Sequence, residues 1–114
     1  LERRTGVARE KFQTLTEQMF YILLCLRQEQ CGADIMAQVS ALTRERITVG
    51  PGTLYNLLES FLQAGMIRET RVEGRRRSYL ITQSGEQALK EEYRRLLALA
   101  ADYERCTQQG GNQP

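Results

Sequence analysis

The sequence has no His and no Trp, only two Pro and three Cys, and no apolar run longer than Met19–Leu26. Each scarcity excludes something. Without His, the chain lacks the side chain most often used as a general acid or base, and the commonest metal ligand. Cys25, Cys31 and Cys106 form an odd set with no C-x-x-C spacing, so neither a zinc site nor a disulfide framework is indicated. Unpaired thiols fit a cytoplasmic protein. The Met19–Leu26 run falls far short of the roughly 20 apolar residues a membrane-spanning helix needs, and no secretory leader pattern opens the chain. No phosphate-binding glycine loop and no activated nucleophile are present, so the chain is not expected to be an enzyme or to carry a cofactor.

What remains is an ordinary soluble composition, 41% apolar and 26% charged over 114 residues, enough for one domain with one core. The net charge is only +2, but it is unevenly placed. Residues 1–43 carry five positive and five negative side chains, and residues 80–114 carry four and five. Residues 44–79 carry seven Arg against four Glu, so the whole cationic surplus sits in the middle third. A local electrostatic footprint must lie there.

Residues 1–13 are charged and aperiodic and read as a loose, flexible arm or a short frayed helix. A first helix is expected over about Thr16–Gln28, capped either by Thr14 with Glu17 as a capping box or by Thr16 directly. Its interior is apolar on every side, which suggests that a second face is covered by another subunit. A second helix follows over about Gly32–Arg44, with Ile35, Met36, Val39 and Leu42 on one stripe. Ile47–Val49 favours β structure. Gly50-Pro51 then begins a third helix, Pro51 sitting at the first helical position where its missing N–H does no harm. Leu54, Leu57, Leu58, Phe61 and Leu62 follow at i, i+3, i+4, i+7 and i+8, and Gly65 closes the helix as a left-handed residue.

Met66–Val72 and Arg75–Ile81 read as two strands joined by a Glu73-Gly74 turn. Thr82 caps a last helix running to about Arg105, in which Leu89, Tyr93, Leu96, Ala100 and Tyr103 form a heptad seam. Residues 108–114, rich in Gln and Gly, read as a disordered tail. The fold expected is mainly α with a small β-hairpin, a winged helix-turn-helix over residues 14–82 followed by a dimerisation helix over residues 83–107.

In such a fold the third helix is the reader and the hairpin the wing. The exposed residues of the reader's first turn and a half are Gly52, Thr53, Tyr55 and Asn56. Asn can pair with adenine in two-point fashion, Thr can meet a thymine methyl or a phosphate, and Gly52 leaves the helix N-terminus open to a phosphate. The reader contains no Lys or Arg. The charge appears instead at the hairpin, where Arg75, Arg76 and Arg77 are positioned to reach a phosphate row or the minor groove. Tyr55 serves equally well as a contact or as a packing residue. The surplus apolar surface assigns Phe20, Leu23 and Leu24 of the first helix, with Leu89, Tyr93, Leu96, Ala100 and Tyr103 of the last, to a homodimer interface.

The segments Thr16-Glu17 with Phe20–Leu24, Gly50-Pro51-Gly52-Thr53-Leu54-Tyr55, Phe61–Ile67 and Gly74–Thr82 resemble a PadR-family regulator over about Leu15–Tyr103. The short single C-terminal helix is similar to the compact subgroup of that family. The resemblance implies a dimer formed through the first and last helices on a near-palindromic double-stranded DNA operator. It also implies a repressor's role, usually released by a small-molecule effector at the dimer interface. It assigns recognition contacts to Thr53 and Tyr55 and wing contacts to Arg75, Arg76 and Arg77. Two departures stand out. Where the family often opens its second helix with His-Gly-Tyr, this chain has Cys31-Gly32-Ala33. The compact members that stack planar drugs between Trp side chains use a residue absent here. A winged-helix module that binds protein rather than DNA is the competing reading, favoured by a reader without Lys or Arg and opposed by the arginine wing.

Overall fold

The computed structural model describes residues 14–111; the arm expected over residues 1–13 lies outside them. Helix α1 spans Glu17–Cys25, and Thr16 rather than Thr14 caps it, its Oγ1 accepting from the Met19 N–H at 3.2 Å. Helix α2 spans Gly32–Leu42, α3 Pro51–Gln63, and α4 Gln83–Gly111. Ile22, Leu23, Cys25 and Leu26 are buried, while Met19, Phe20, Tyr21 and Leu24 are half-buried on the same core. Most of α1's apolar circumference is thus covered within the protomer, between α2 and α4. Ile35 and Val39 of α2, Leu54, Leu58 and Phe61 of α3, and Met66, Ile67, Tyr79 and Ile81 from the sheet region join them in the core.

Strands β1 (Gln30–Cys31), β2 (Ile67–Glu73) and β3 (Arg76–Ile81) form a three-stranded antiparallel sheet in the order β1-β3-β2. Two expectations are corrected here. Ile47–Val49 is not a strand: its polar groups are met by side chains, Thr43 Oγ1 accepting from the Ile47 N–H at 3.1 Å and Gln18 Nε2 donating to the Thr48 carbonyl at 3.3 Å. The third strand is Gln30–Cys31, paired with Tyr79 and Ser78 on the free edge of β3. The hairpin turn is Gly74-Arg75, one residue later than expected, because Glu73 pairs with Arg76. Gly74 has φ +63°, the positive value that the first residue of a tight two-residue hairpin loop requires.

Helices α2 and α3 end alike. At α3, the Met66 N–H donates to the Phe61 carbonyl at 2.9 Å and the Gly65 N–H to Leu62 at 3.1 Å, with Gly65 at φ +75°. At α2, Glu45 donates to Ser40 at 2.7 Å and Arg44 to Ala41 at 3.2 Å. This is the Schellman pattern, but at α2 Arg44 and Glu45 hold φ values of 54° and 64°, a costlier conformation for residues with a Cβ. Arg46 then ties the loop to α1 through Glu17 Oε2 at 2.8 Å and the Tyr21 hydroxyl at 3.2 Å.

Thr82 docks the start of α4. Its Oγ1 accepts from the Gly85 N–H at 3.1 Å and donates to the Gly65 carbonyl at 2.6 Å, and its N–H donates to the Met66 carbonyl at 2.9 Å. Gly85 is needed at this junction, since a Cβ there would overlap the Met66 carbonyl oxygen. Ala88, Leu89 and Glu92 are buried. Glu92 accepts from the Leu15 N–H at 3.2 Å and is paired with Arg95, which satisfies a carboxylate the core could not otherwise tolerate. Beyond that pair α4 leaves the body, and every residue from Leu96 to Gln108 is exposed. The helix does not stop near Arg105 but runs on to Gly111, carrying the first part of the tail expected over residues 108–114; residues 112–114 lie outside the described residues. Among the described residues, no helix is long and apolar enough to cross a membrane.

Candidate nucleic-acid interface

Helix α3 presents two unlike faces. Leu54, Leu58 and Phe61 are buried, whereas Gly52, Thr53, Tyr55, Asn56, Glu59 and Gln63 are exposed. Gly50 at the N-cap has no side chain to bond the first turn, so the N–H groups beginning at Gly52 face outward with the positive end of the helix dipole. Tyr55 divides its roles as the sequence allowed. Half of its surface is exposed, while the ring edge lies on Gly32 at the start of α2, where an added Cβ would overlap the hydroxyl.

The wing stands beside this helix. Its first strand bulges at Thr70, between the Glu69–Tyr79 and Arg71–Ser78 pairs; Thr70 donates to Glu29. Reader and wing are the walls of one cleft of about 630 Å³, with Tyr55, Leu58, Glu59 and Leu62 on one side, Arg75–Arg77 and Tyr79 on the other, and Cys31–Asp34 between. Burial of the Tyr79 hydroxyl, followed by the nearby Glu69 carboxylate, pushes its pKa up, with Arg77 partly opposing. Asn56 is exposed on α3 outside the cleft lining.

The three arginines are not equivalent. Arg76 Nη2 is 3.5 Å from Asp34 Oδ2 in the first turn of α2, and Arg77 Nη1 is 3.1 Å from Glu69 Oε2 on the facing strand. Arg75, at the turn itself, has no ion-pair partner among the described residues. Sequence reasoning missed Asp34 and Glu69. Cross-strand pairing could have suggested Glu69, but Asp34 is separated from Arg76 by the rest of α2, the whole of α3 and β2, and no local signal links them.

The residues assigned to a dimer interface separate into two groups. Leu23 is fully buried and Leu89 is 6% exposed, so both belong to the protomer's own core. Phe20 and Leu24 are half-buried, and Tyr93, Leu96, Ala100 and Tyr103 are exposed on α4. Leu97 and Leu99, outside the expected seam, are also about half exposed, at 51% and 52%. The apolar surface left uncovered is therefore concentrated on α4 rather than α1. Among the described residues no group of His, Cys, Asp and Glu is arranged to hold a metal ion.

With this geometry in place, similarity to known proteins becomes informative. The chain superposes on RosR of H. salinarum with a TM-score of 0.64 at 22% identity, over 86% of this chain and 92% of that one. A transcriptional regulator from Clostridium thermocellum gives 0.66 at 20%, over 77% and 86%. A PadR family transcriptional regulator from Eggerthella lenta gives 0.64 at 20%, over 93% and 82%. These likenesses establish the winged-helix fold with its C-terminal helix. No curated protein matches the sequence. Residues 22–91, more than half of the chain, match the family described as "Transcriptional regulator PadR-like family". They contain α2, the reader α3, the whole wing and the first third of α4, so the chain belongs to the PadR-like family of transcriptional regulators, which are not enzymes.

Proposed function

We propose that the chain is a dimeric repressor that binds a near-palindromic operator with α3 in the major groove and the wing on the adjacent backbone. One observation carries this reading: Tyr55, on the exposed face just past the uncapped start of α3, and Arg75, which has no ion-pair partner among the described residues, line the same cleft. Gly52 and Thr53 supply N–H groups for a phosphate, Tyr55 and Asn56 supply base-edge contacts, and Arg75–Arg77 supply sequence-independent grip. The reader selects and the wing holds.

The dimer is built from the exposed length of α4, Tyr93, Leu96, Leu97, Leu99, Ala100 and Tyr103, with Phe20 and Leu24 at its margin. A single-chain helix exposing this many large apolar residues in one stretch is supported best by a partner helix. Two-fold symmetry then presents two readers to half-sites about 10 base pairs apart. A small-molecule effector, if it acts at that interface, must bind among these Leu and Tyr side chains without any Trp to stack on.

The test replaces Arg75, Arg76 and Arg77 with Ala and measures affinity for duplexes of several sequences over a salt series. Binding weakens for every sequence, and the slope of log K against log salt flattens by about 0.9 for each phosphate that the wing no longer engages. Asn56→Ala instead relaxes base preference and leaves the slope unchanged. A triple variant with the wild-type slope removes the wing from the interface and the reading with it.

A further inference from the structure

Two of the three consecutive arginines Arg75–Arg77 are already occupied. Arg76 is held by Asp34 at 3.5 Å and Arg77 by Glu69 at 3.1 Å, while Arg75 has no ion-pair partner among the described residues. We propose that Asp34 and Glu69 are affinity-setting residues that compete with DNA phosphate for Arg76 and Arg77, so that of the Arg75–Arg77 run Arg75 alone, among the described residues, engages a phosphate without first giving up a partner. This inference rests on the DNA-binding reading above.

The geometry suits exchange rather than permanent pairing. The Arg76, Asp34 and Arg77 side chains are more than half exposed, at 65%, 59% and 60%, and the Glu69 side chain is about a third exposed, at 31%. Ion pairs in such water-rich settings are weak and break readily. A phosphate is also an excellent acceptor for a guanidinium, so either arginine can transfer to DNA. In the transfer the carboxylate is left facing the phosphate row, and this like-charge approach opposes the gain. Asp34 is the more telling of the two. It stands in the first turn of α2, two residues from Gly32, on which Tyr55 rests, and lines the cleft together with Arg76. Nothing in its helix requires that partner; a carboxylate near a helix N-terminus is already favoured by the dipole.

The experiment uses the full chain and a labelled random-sequence duplex, with binding followed by fluorescence anisotropy over a monovalent-salt series. Asp34→Asn keeps the side chain's size and removes its charge. It is expected to tighten binding up to about 8-fold per subunit near 0.1 M salt and to steepen the log–log slope by up to about 0.9, as one more engaged phosphate predicts. In an Arg76→Ala background the same substitution gains much less. Glu69→Gln, alone and with Arg77→Ala, repeats the cycle at the second pair and protects the test against a folding defect in either variant. Unchanged or weaker binding by both carboxylate variants, with native circular dichroism, overturns the proposal. So does an equal gain with and without the paired arginine, which assigns the carboxylates only a general repulsion. Failure of the wild-type chain to bind any duplex is a different result, and it overturns the DNA-binding reading itself.

Discussion

Substitution of Gly85 by Ala puts the docking of α4 to a test in which local and tertiary physics predict opposite signs. Gly85 is helical, and in an exposed helix the change would stabilise by up to about 1 kcal/mol. Here the added Cβ overlaps the Met66 carbonyl oxygen, lies 2.7 Å from Ile81 Cγ1 and 3.0 Å from the Met66 carbonyl carbon. Ordinary carbon contacts are about 3.5–4.0 Å. Two of the three atoms are backbone and cannot rotate away, so the start of α4 must move by about 1 Å. Such overpacking costs about 1–3 kcal/mol. The movement also strains the Thr82 N–H bond to Met66 at 2.9 Å and the Thr82 Oγ1 bond to Gly65 at 2.6 Å, at about 1 kcal/mol each. After subtracting the propensity gain, Gly85→Ala is expected to destabilise by ~2–4 kcal/mol, a fall in Tm of about 10 °C. Urea unfolding followed by far-ultraviolet circular dichroism, at fixed chain concentration, measures it. A midpoint equal to or above wild type refutes the close approach and the rigid docking derived from it. The consequence reaches the proposed dimer, because α4 sets where each reader points.

Other outcomes follow from the same structure. Leu96→Glu and Tyr103→Glu, on the exposed length of α4, are expected to shift sedimentation from dimer to monomer at micromolar concentration while preserving helicity. Leu89→Glu, 6% exposed in the protomer core, is expected to unfold the chain instead. Arg44→Gly relieves a left-handed residue at φ 54° and is expected to raise stability by about 1 kcal/mol in the same urea assay. Burial pushes the Cys25 thiol from 9.0 up to about 11. A raised folded value means the unfolded state ionises first, so this contribution is intact below pH 9 and is lost as pH climbs towards 11, by ~2–3 kcal/mol in all. Cys25→Ala should flatten that alkaline limb; a limb of unchanged steepness refutes the assignment.

The parts of the fold legible in the sequence are those set by neighbours in the chain. The reader's stripe from Leu54 to Leu62 follows from helical periodicity, its start from Pro51 and its end from Gly65. The Thr16 and Thr82 caps follow from hydroxyls placed before apolar periodic segments. Where the local signal was weak, the outcome depended on other elements. Ile47–Val49 has β-favouring residues but no strand to pair with, whereas Gln30–Cys31 has little propensity and lies beside an open edge of β3. The hairpin turn moved one residue because register is set by pairing along the whole strand, not by the Gly alone.

The candidate site divides the same way. Residue chemistry and helical spacing alone placed Gly52, Thr53, Tyr55 and Asn56 on an outward face of α3 and three arginines on a hairpin, because each statement concerns residues within a few turns of one another. Tertiary structure alone decided that Tyr55 would rest on Gly32, that Asp34 and Glu69 would hold Arg76 and Arg77, and that Leu23 and Leu89 would be spent on the protomer's core. Those outcomes are contacts between segments distant in sequence. Burial and ion pairing are properties of where chains meet, and no window along one segment contains them.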